Sequence, residues 1–173
     1  RGSELKPIGA VAPSGIPALK AEKADFVLAN NAPDKQRRAK LAEWITHADN
    51  PLFGRVMANR VWHYHFGAGL VNTPNDFGFS GTRPSHSALL DHLAIYFAEQ
   101  KWSLKALHRY IVTSATYRQS SRINPDAMSI YAGNRLLWRM SPRRIAAEEM
   151  RDTMLAASGK LKRELGGEGY RDV

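Results

Sequence analysis

The spacing of apolar residues along the chain predicts a protein built from helices. Leu41, Trp44 and Ile45 recur at intervals of three and four, which places them on one buried helix face. The later helices are expected to start where a capping residue or a proline precedes an apolar run, at Asn50-Pro51, Pro84-Ser85, Ser103 and Ser141-Pro142. Because no segment alternates apolar and polar residues as a half-buried strand does, we predict an all-α fold of about five helices.

The core is expected to form from the apolar faces of these helices. Its predicted members are Leu41, Trp44, Ile45, Val56, Val61, Leu90, Leu93, Phe97, Leu107, Ile111, Met150 and Met154. The last helix is expected to run from Ser141-Pro142 to Gly166-Gly167.

Two segments lack any helical period. Residues 1–33 are punctuated by proline and glycine and are predicted to be an extended arm or linker that leads into a helical domain over residues 34–173. Residues 67–84 are rich in Gly, Pro, Asn and Thr, and we predict a long ordered loop there. Loops of this length are often functional.

Positive charge is concentrated in one part of the chain. The net charge is +9, and nine basic residues stand against one acidic residue between Lys101 and Arg144. Arginines interleaved with aromatic residues suit a surface for nucleic acid or an acidic glycan, but arginines that bond carbonyls inside a helical domain give the same pattern. If the second explanation holds, Arg60, Arg109 and Arg139 should be at least half buried.

The composition excludes several functional classes. The chain has no cysteine, so disulfides, thiol catalysis, Cys-ligated metals and covalent haem attachment are ruled out. No apolar run is long enough to span a membrane. The chain begins at Arg1, so an export signal would have to lie upstream.

No catalytic motif emerges from the residues alone. Asp76-Phe77-Gly78 matches a kinase metal-binding triplet, but no Gly-rich phosphate loop precedes it. His63 and His65 are two residues apart, so their side chains diverge around a helix and cannot bind the same ion. We predict no metal and no cofactor in this chain. An enzymatic alternative would use His86, Asp91, His108 or Glu148 as acid–base groups, which leaves the question of catalysis open.

Two sets of polar residues are candidates for a role beyond packing. The hypothetical ligand surface, where the 67–84 loop meets the basic fourth helix and the segment from Asn134 to Arg144, comprises Asp76, Arg83, His86, His108, Arg109, Arg135, Trp138, Arg139 and Arg143. The second set, expected to form a structural network with Asp76 or Asp91 as partner of a buried Arg60, comprises Asn59, Arg60, Asp91, Glu148, Arg151 and Asp152.

Taken together, many short stretches resemble one family, the planctomycete-type C-terminal domain of unknown function called PSD-one. The similarity covers residues 35–173, and its motifs include Asn50-Pro51-Leu52, Asn59-Arg60-Val61-Trp62, Phe66-Gly67-Ala68-Gly69, Asp76-Phe77-Gly78, Pro84-Ser85-His86, Leu107-His108-Arg109, Tyr117-Arg118-Gln119-Ser120 and Asn134-Arg135-Leu136-Leu137-Trp138-Arg139. Ser87 and Glu168 stand where the family commonly has proline, at loop or cap positions.

The resemblance implies a setting rather than a mechanism. It implies a module of a large exported protein with cytochrome-c-like and other domains, placed in the periplasm or cell envelope, with a link to polysaccharide use. It also implies that the domain is incomplete at its C-terminus, and it transfers no catalytic residue. The expected function is therefore a binding or scaffolding module. Its expected partners are other domains of the same polypeptide and an acidic polysaccharide, with nucleic acid as the less favoured alternative.

Overall fold

The computed structural model describes residues 9, 14–16, 19, 26, 28, 29, 31–47, 49–164 and 166. These residues contain seven α-helices: α1 (Asp34–Ile45), α2 (Pro51–Phe66), α3 (Ser87–Glu99), α4 (Leu104–Thr113), α5 (Ala115–Arg118), α6 (Pro125–Ile130) and α7 (Ala147–Ala157). No β-strand occurs in the described ranges, so the prediction of an all-α fold is confirmed. Within the same ranges, no helix has both the length and the apolar character needed to cross a membrane.

The chain divides into two compact units, Arg1–Ser141 and Pro142–Val173. The first unit holds helices α1 to α6, and the second holds α7. Most of the predicted arm, residues 1–33, lies outside the described residues. Of its described members, Gly15 and Phe26 lie against the indole of Trp44.

Helix α2 is bounded by local signals at both ends. The Asn50 side chain accepts a hydrogen bond from the Leu52 N–H, and Pro51 occupies the first turn, where its missing N–H costs nothing. At the other end, Gly67 adopts a left-handed conformation with φ 80°, which a glycine adopts without a Cβ penalty. The start agrees with the one predicted at Asn50-Pro51, and the end agrees with the loop predicted from residue 67.

Helices α3 and α4 are joined by a tight corner. Lys101 and Trp102 both have positive φ, 53° and 61°, an uncommon conformation for residues with a Cβ. The Trp102 N–H donates back to the Phe97 carbonyl at 3.0 Å, and Ser103 then caps α4 by accepting from the Ala106 N–H. The Trp102 ring packs edge-on against Phe97 and Phe53, which holds the corner against the core.

The core of the first unit forms where α2, α3 and α4 pack on one another. Seven of the predicted core residues are buried, namely Trp44, Val61, Leu90, Leu93, Phe97, Leu107 and Ile111, and Val56 is partly buried. Buried core residues that the helical pattern did not identify are Ala58, Trp62, Phe66, Leu70 and Val71.

The core prediction is wrong for four residues, Leu41, Ile45, Met150 and Met154, which are exposed. On α1, only Trp44 is covered, because the arm residues Gly15 and Phe26 lie over its ring and not over the rest of that face. Met150 and Met154 lie on α7, the single described helix of its unit, so no second helix of that unit covers them.

For two helices, the sequence predicts a start that is earlier than the start in the structure. Helix α3 begins at Ser87 rather than at Pro84-Ser85, because the Ser85 N–H donates to the Leu70 carbonyl at 2.8 Å instead of entering the helix. Helix α7 begins at Ala147, where the Glu149 carboxylate reaches back to the Ala146 N–H at 3.4 Å. It ends near Gly159, whose φ is 72°, well before the predicted stop at Gly166-Gly167.

Candidate functional site

A buried asparagine fixes the loop after α2 onto the helix. Asn59 is 0% exposed; its Nδ2 donates to the Val71 carbonyl at 3.0 Å, and its Oδ1 accepts from the Val71 N–H at 2.8 Å. One side-chain amide thus pairs both polar groups of a buried peptide segment, much as a neighbouring strand would. The approach requires a glycine, because a Cβ at Gly69 would lie 2.5 Å from the Val71 carbonyl oxygen.

Residues 72–82 form a loop braced by side-chain hydrogen bonds. Thr73 donates to the Asp76 carbonyl at 2.8 Å, and the Thr82 N–H donates to Thr73 Oγ1 at 3.0 Å. Asp76 Oδ1 accepts from the Gly78 N–H at 2.8 Å, which is an Asx turn. Asp76 therefore shapes this loop. Phe77 packs against the core, whereas Phe79 is fully exposed.

Replacing Gly81 by alanine is expected to disrupt this brace. A Cβ at Gly81 would collide with the Asp76 backbone carbonyl, which cannot rotate away as a flexible side chain could. We expect a loss of about 1–3 kcal/mol in the free energy of unfolding, typical of overpacking. Urea denaturation measures it, with Gly9→Ala as the matched control, since a Cβ at Gly9 meets nothing within 4 Å. Equal stability of the two variants would contradict the steric argument.

The segment 134–141 folds into a turn clasped by Asn134. Its Nδ2 donates to the Arg139 carbonyl at 2.7 Å and to Ser141 Oγ at 2.8 Å. Within the turn, Leu137 has φ 55°, a strained conformation for a leucine that costs about 1–2 kcal/mol. The Gln119 amide holds it by donating to the Leu137 carbonyl at 3.0 Å. Strained residues of this kind often lie at functional sites.

A cavity of about 330 Å³ lies between the loop after α2 and the clasped turn, and we call it the loop cavity. Trp62 and Phe66 of α2, stacked with their ring centroids 4.1 Å apart, form its floor together with Leu137. Its polar wall consists of Asn72, Ser85, Asn134, Arg135 and Ser141. The residues of α4 do not line it, so the basic fourth helix contributes nothing to this cavity.

Arg135 supplies the charge of the loop cavity. Its Nη2 donates to the Arg83 carbonyl at 2.8 Å, which joins the two segments that enclose the cavity. Neither Arg135 nor Arg83 forms an ion pair with a carboxylate of the described residues. The cavity wall therefore combines a guanidinium group, amides and hydroxyls, all of which bond oxygen-rich ligands.

The other residues of the predicted ligand surface lie elsewhere. Trp138 Nε1 lies 3.2 Å from the carbonyls of Tyr131 and Gly133, and the Arg139 guanidinium lies 5.1 Å from the Trp138 ring centroid. His86 precedes α3, with Nδ1 3.0 Å from Ser85 Oγ. Arg109 is exposed on α4. Arg143 belongs to the second unit, where it pairs with Glu149 at 4.0 Å.

His108 pairs with another histidine rather than with a carboxylate. Its Nδ1 lies 2.7 Å from His65 Nε2, so one ring donates and the other accepts. The ring of Tyr117 packs edge-on against His65. Acid–base catalysis by a histidine usually relies on a third group that orients the ring, and no described carboxylate does so for His108.

The predicted structural network is only partly assembled. Asn59 is buried as described, but Arg60 is exposed, as is Arg109, so the prediction that both are at least half buried is wrong. Arg60 lies on the exposed face of α2. Asp91 pairs instead with Arg55, whose Nε lies 2.6 Å from Asp91 Oδ1. For Arg139 the same prediction is correct, because that residue is partly buried.

In the second unit, Arg151 lies 3.5 Å from Asp152. Glu148 is exposed, and it is the neighbouring Glu149 that joins Arg143. Among the described residues, no group of three or more His, Cys, Asp or Glu side chains could hold a metal ion.

Sequence reasoning missed Asn72, Ser85, Asn134 and Ser141 as wall residues of the loop cavity. The available signal is Asn134, a turn-forming residue at the start of the segment that is predicted to meet the loop. The two segments are joined by the hydrogen bond from the Arg135 guanidinium to the Arg83 carbonyl, a contact between residues far apart in the chain that no periodicity reveals.

Comparisons with known proteins give one family. A family model described as PSD1, protein of unknown function (DUF1553), matches residues 37–173. Searches among curated proteins and among solved structures found no match for the chain.

Proposed function

Because the chain belongs to the PSD1 family of proteins of unknown function, we propose its function from the loop cavity: a binding or scaffolding module that holds an acidic polysaccharide. The observation that carries the proposal is Arg135, a guanidinium group without a carboxylate partner among the described residues, set in a wall of amides and hydroxyls. An exported setting, which the family resemblance implies, would bring the module into contact with extracellular glycans.

The charge of the wall favours an anionic ligand. Arg135 donates to the Arg83 carbonyl through Nη2. Its remaining N–H groups can donate charge-assisted hydrogen bonds to a carboxylate or sulfate oxygen. None of the described residues that line the loop cavity is acidic, so none of them repels an anion.

The remaining wall favours a sugar. Asn72 and Asn134 offer amide groups, and Ser85 and Ser141 offer hydroxyls, which can bond sugar hydroxyl groups. The apolar floor of Trp62 and Phe66 suits the C–H faces of a sugar ring. A volume of about 330 Å³ is at the low end of the range for small-ligand sites, which corresponds to one sugar residue of a chain.

Affinity electrophoresis tests the proposal. We expect gels that contain polygalacturonate or chondroitin sulfate to retard the protein, and neutral dextran to leave its mobility unchanged. Arg135→Gln is expected to weaken the retardation about tenfold or more, because a hydrogen bond to a charged group is lost. The matched control is Arg122→Gln, which removes one positive charge at an exposed position outside the loop cavity and should have little effect.

Three outcomes would contradict the proposal. Absence of retardation by both acidic polysaccharides would remove the ligand class. Equal effects of Arg135→Gln and Arg122→Gln would mean that only net charge matters. A gel-shift with duplex DNA that weakens steeply with salt, in the absence of polysaccharide binding, would favour the nucleic-acid alternative. Thermal unfolding of both variants verifies that they are folded.

A further inference from the structure

A second cavity of about 330 Å³ lies among α3, α4 and α5, and we call it the helix cavity. Leu89 and Leu93 of α3 and Ile111 of α4 form its apolar walls, and Trp62 of α2 closes it. Among the described residues that line it there is no Asp, Glu, Lys or Arg, whereas His92, Tyr110, Thr113, Ser114 and Thr116 bring polar groups to it. The helix cavity thus has apolar walls, polar groups beside them, and no carboxylate, lysine or arginine among its described lining residues.

The rim of the helix cavity is held in place by aromatic contacts. His92 Nε2 lies 2.8 Å from Tyr110 Oη, and the ring of Tyr96 stacks on that of Tyr110 with centroids 4.3 Å apart. These contacts fix the phenol ring of Tyr110 at the cavity edge, so that a ligand need not order it on binding.

One hydroxyl group on the wall is not used by the protein itself. Ser114 Oγ donates to the Ile111 carbonyl and accepts from the Tyr117 N–H, and Thr113 Oγ1 donates to the Arg109 carbonyl. Thr116, which is partly buried and lines the helix cavity, makes no hydrogen bond through its hydroxyl with any described residue. Thr116 Oγ1 is therefore free to bond a ligand.

We infer that the helix cavity binds a neutral aromatic ring that carries one hydroxyl or carbonyl group. The leucine, isoleucine and tryptophan walls receive the ring, and Thr116 bonds its polar substituent. Apolar cavities of about 150 Å³ already admit benzene, so the helix cavity has room for a substituted ring. A charged ligand is disfavoured because it would lose hydration and meet no Asp, Glu, Lys or Arg among the described lining residues, while His92 Nε2 already lies 2.8 Å from Tyr110 Oη. This inference does not depend on the proposed function.

Amide chemical-shift titration of the full chain with p-cresol tests the inference, with toluene and 4-methylbenzoate as comparison ligands. We expect shifts at residues 110–116 and an affinity order of p-cresol, then toluene, then 4-methylbenzoate. Thr116→Val keeps the volume but removes the hydroxyl, and should weaken p-cresol about threefold to tenfold while leaving toluene unchanged. Thr46→Val, the same change on an exposed hydroxyl beside α1, should alter neither.

Filling the cavity supplies the second readout. Thr116→Phe, or Leu89→Trp if that variant fails to fold, should weaken p-cresol and toluene tenfold or more. The inference is overturned if p-cresol shifts no amide of residues 110–116, if 4-methylbenzoate binds as tightly, or if both folded filling variants retain wild-type affinity. Toluene and p-cresol binding equally would overturn the role of Thr116 alone.

Discussion

Replacing Asn59 by leucine is expected to destabilise the protein by about 2–6 kcal/mol, since it leaves two buried backbone groups without partners. Leucine has a similar size, so the change removes hydrogen bonds more than volume. The Val71 N–H and carbonyl, which Asn59 pairs at 2.8 and 3.0 Å, would remain buried and unsatisfied. The loop after α2 would then detach from the helix at its fixed point, and the loop cavity would lose one wall.

Urea denaturation followed by far-ultraviolet circular dichroism measures this loss. Asn75→Leu is the matched control, because Asn75 is exposed in the same loop and the change there should stay within about 0.5 kcal/mol. A midpoint for Asn59→Leu indistinguishable from that of the control would show that the Asn59 bonds to Val71 contribute little.

Replacing Phe97 by alanine is expected to cost about 3–5 kcal/mol, the usual range for deleting a buried aromatic ring. Phe97 is 2% exposed, and its ring packs edge-on against Trp102 at a centroid distance of 5.1 Å. Trp102 is held in its left-handed conformation partly by this contact. Loss of the ring should therefore loosen the corner between α3 and α4 as well as leave a cavity.

Thermal and urea unfolding measure the stability. The change in tryptophan emission caused by Phe97→Ala is compared with and without Trp102→Phe, because Trp44, Trp62 and Trp138 also emit. Leu104→Ala serves as the control, because Leu104 is exposed at the start of α4 and should cost less than about 1 kcal/mol. A stable Phe97→Ala variant with unchanged emission would mean that the surrounding core collapses to fill the space.

The elements that the sequence predicted well are those with signals inside the segment itself. The cap at Asn50, the proline that follows it and the cap at Ser103 bound α2 and α4 where expected, because each acts on backbone groups within three residues. The predicted start of α7 is wrong because Pro142 is compatible with a helix start but does not require one. The carboxylate of Glu149 instead sets the first turn.

The site could be predicted only at the level of segments. The length and composition of the loop after Gly67 led to the hypothesis that this loop meets the segment from Asn134. The loop cavity lies between those two segments. Arg135 lines the cavity whereas Arg139 lies over Trp138, and no local pattern in the sequence distinguishes these two arginines. The helix cavity had no sequence signal, since apolar residues that line a cavity follow the same period as those that pack.

The braced loop of residues 72–82 also offers a position at which the chain can be labelled through an introduced thiol. Phe79 is fully exposed, lies between residues tied by hydrogen bonds, and lines neither the loop cavity nor the helix cavity. Because the chain contains no cysteine, Phe79→Cys would introduce a single reactive sulfur on a firm attachment point. A spin label or a fluorophore placed there would report the tumbling of the unit that carries it, and the protein could be immobilised on a surface through that atom with both cavities left open.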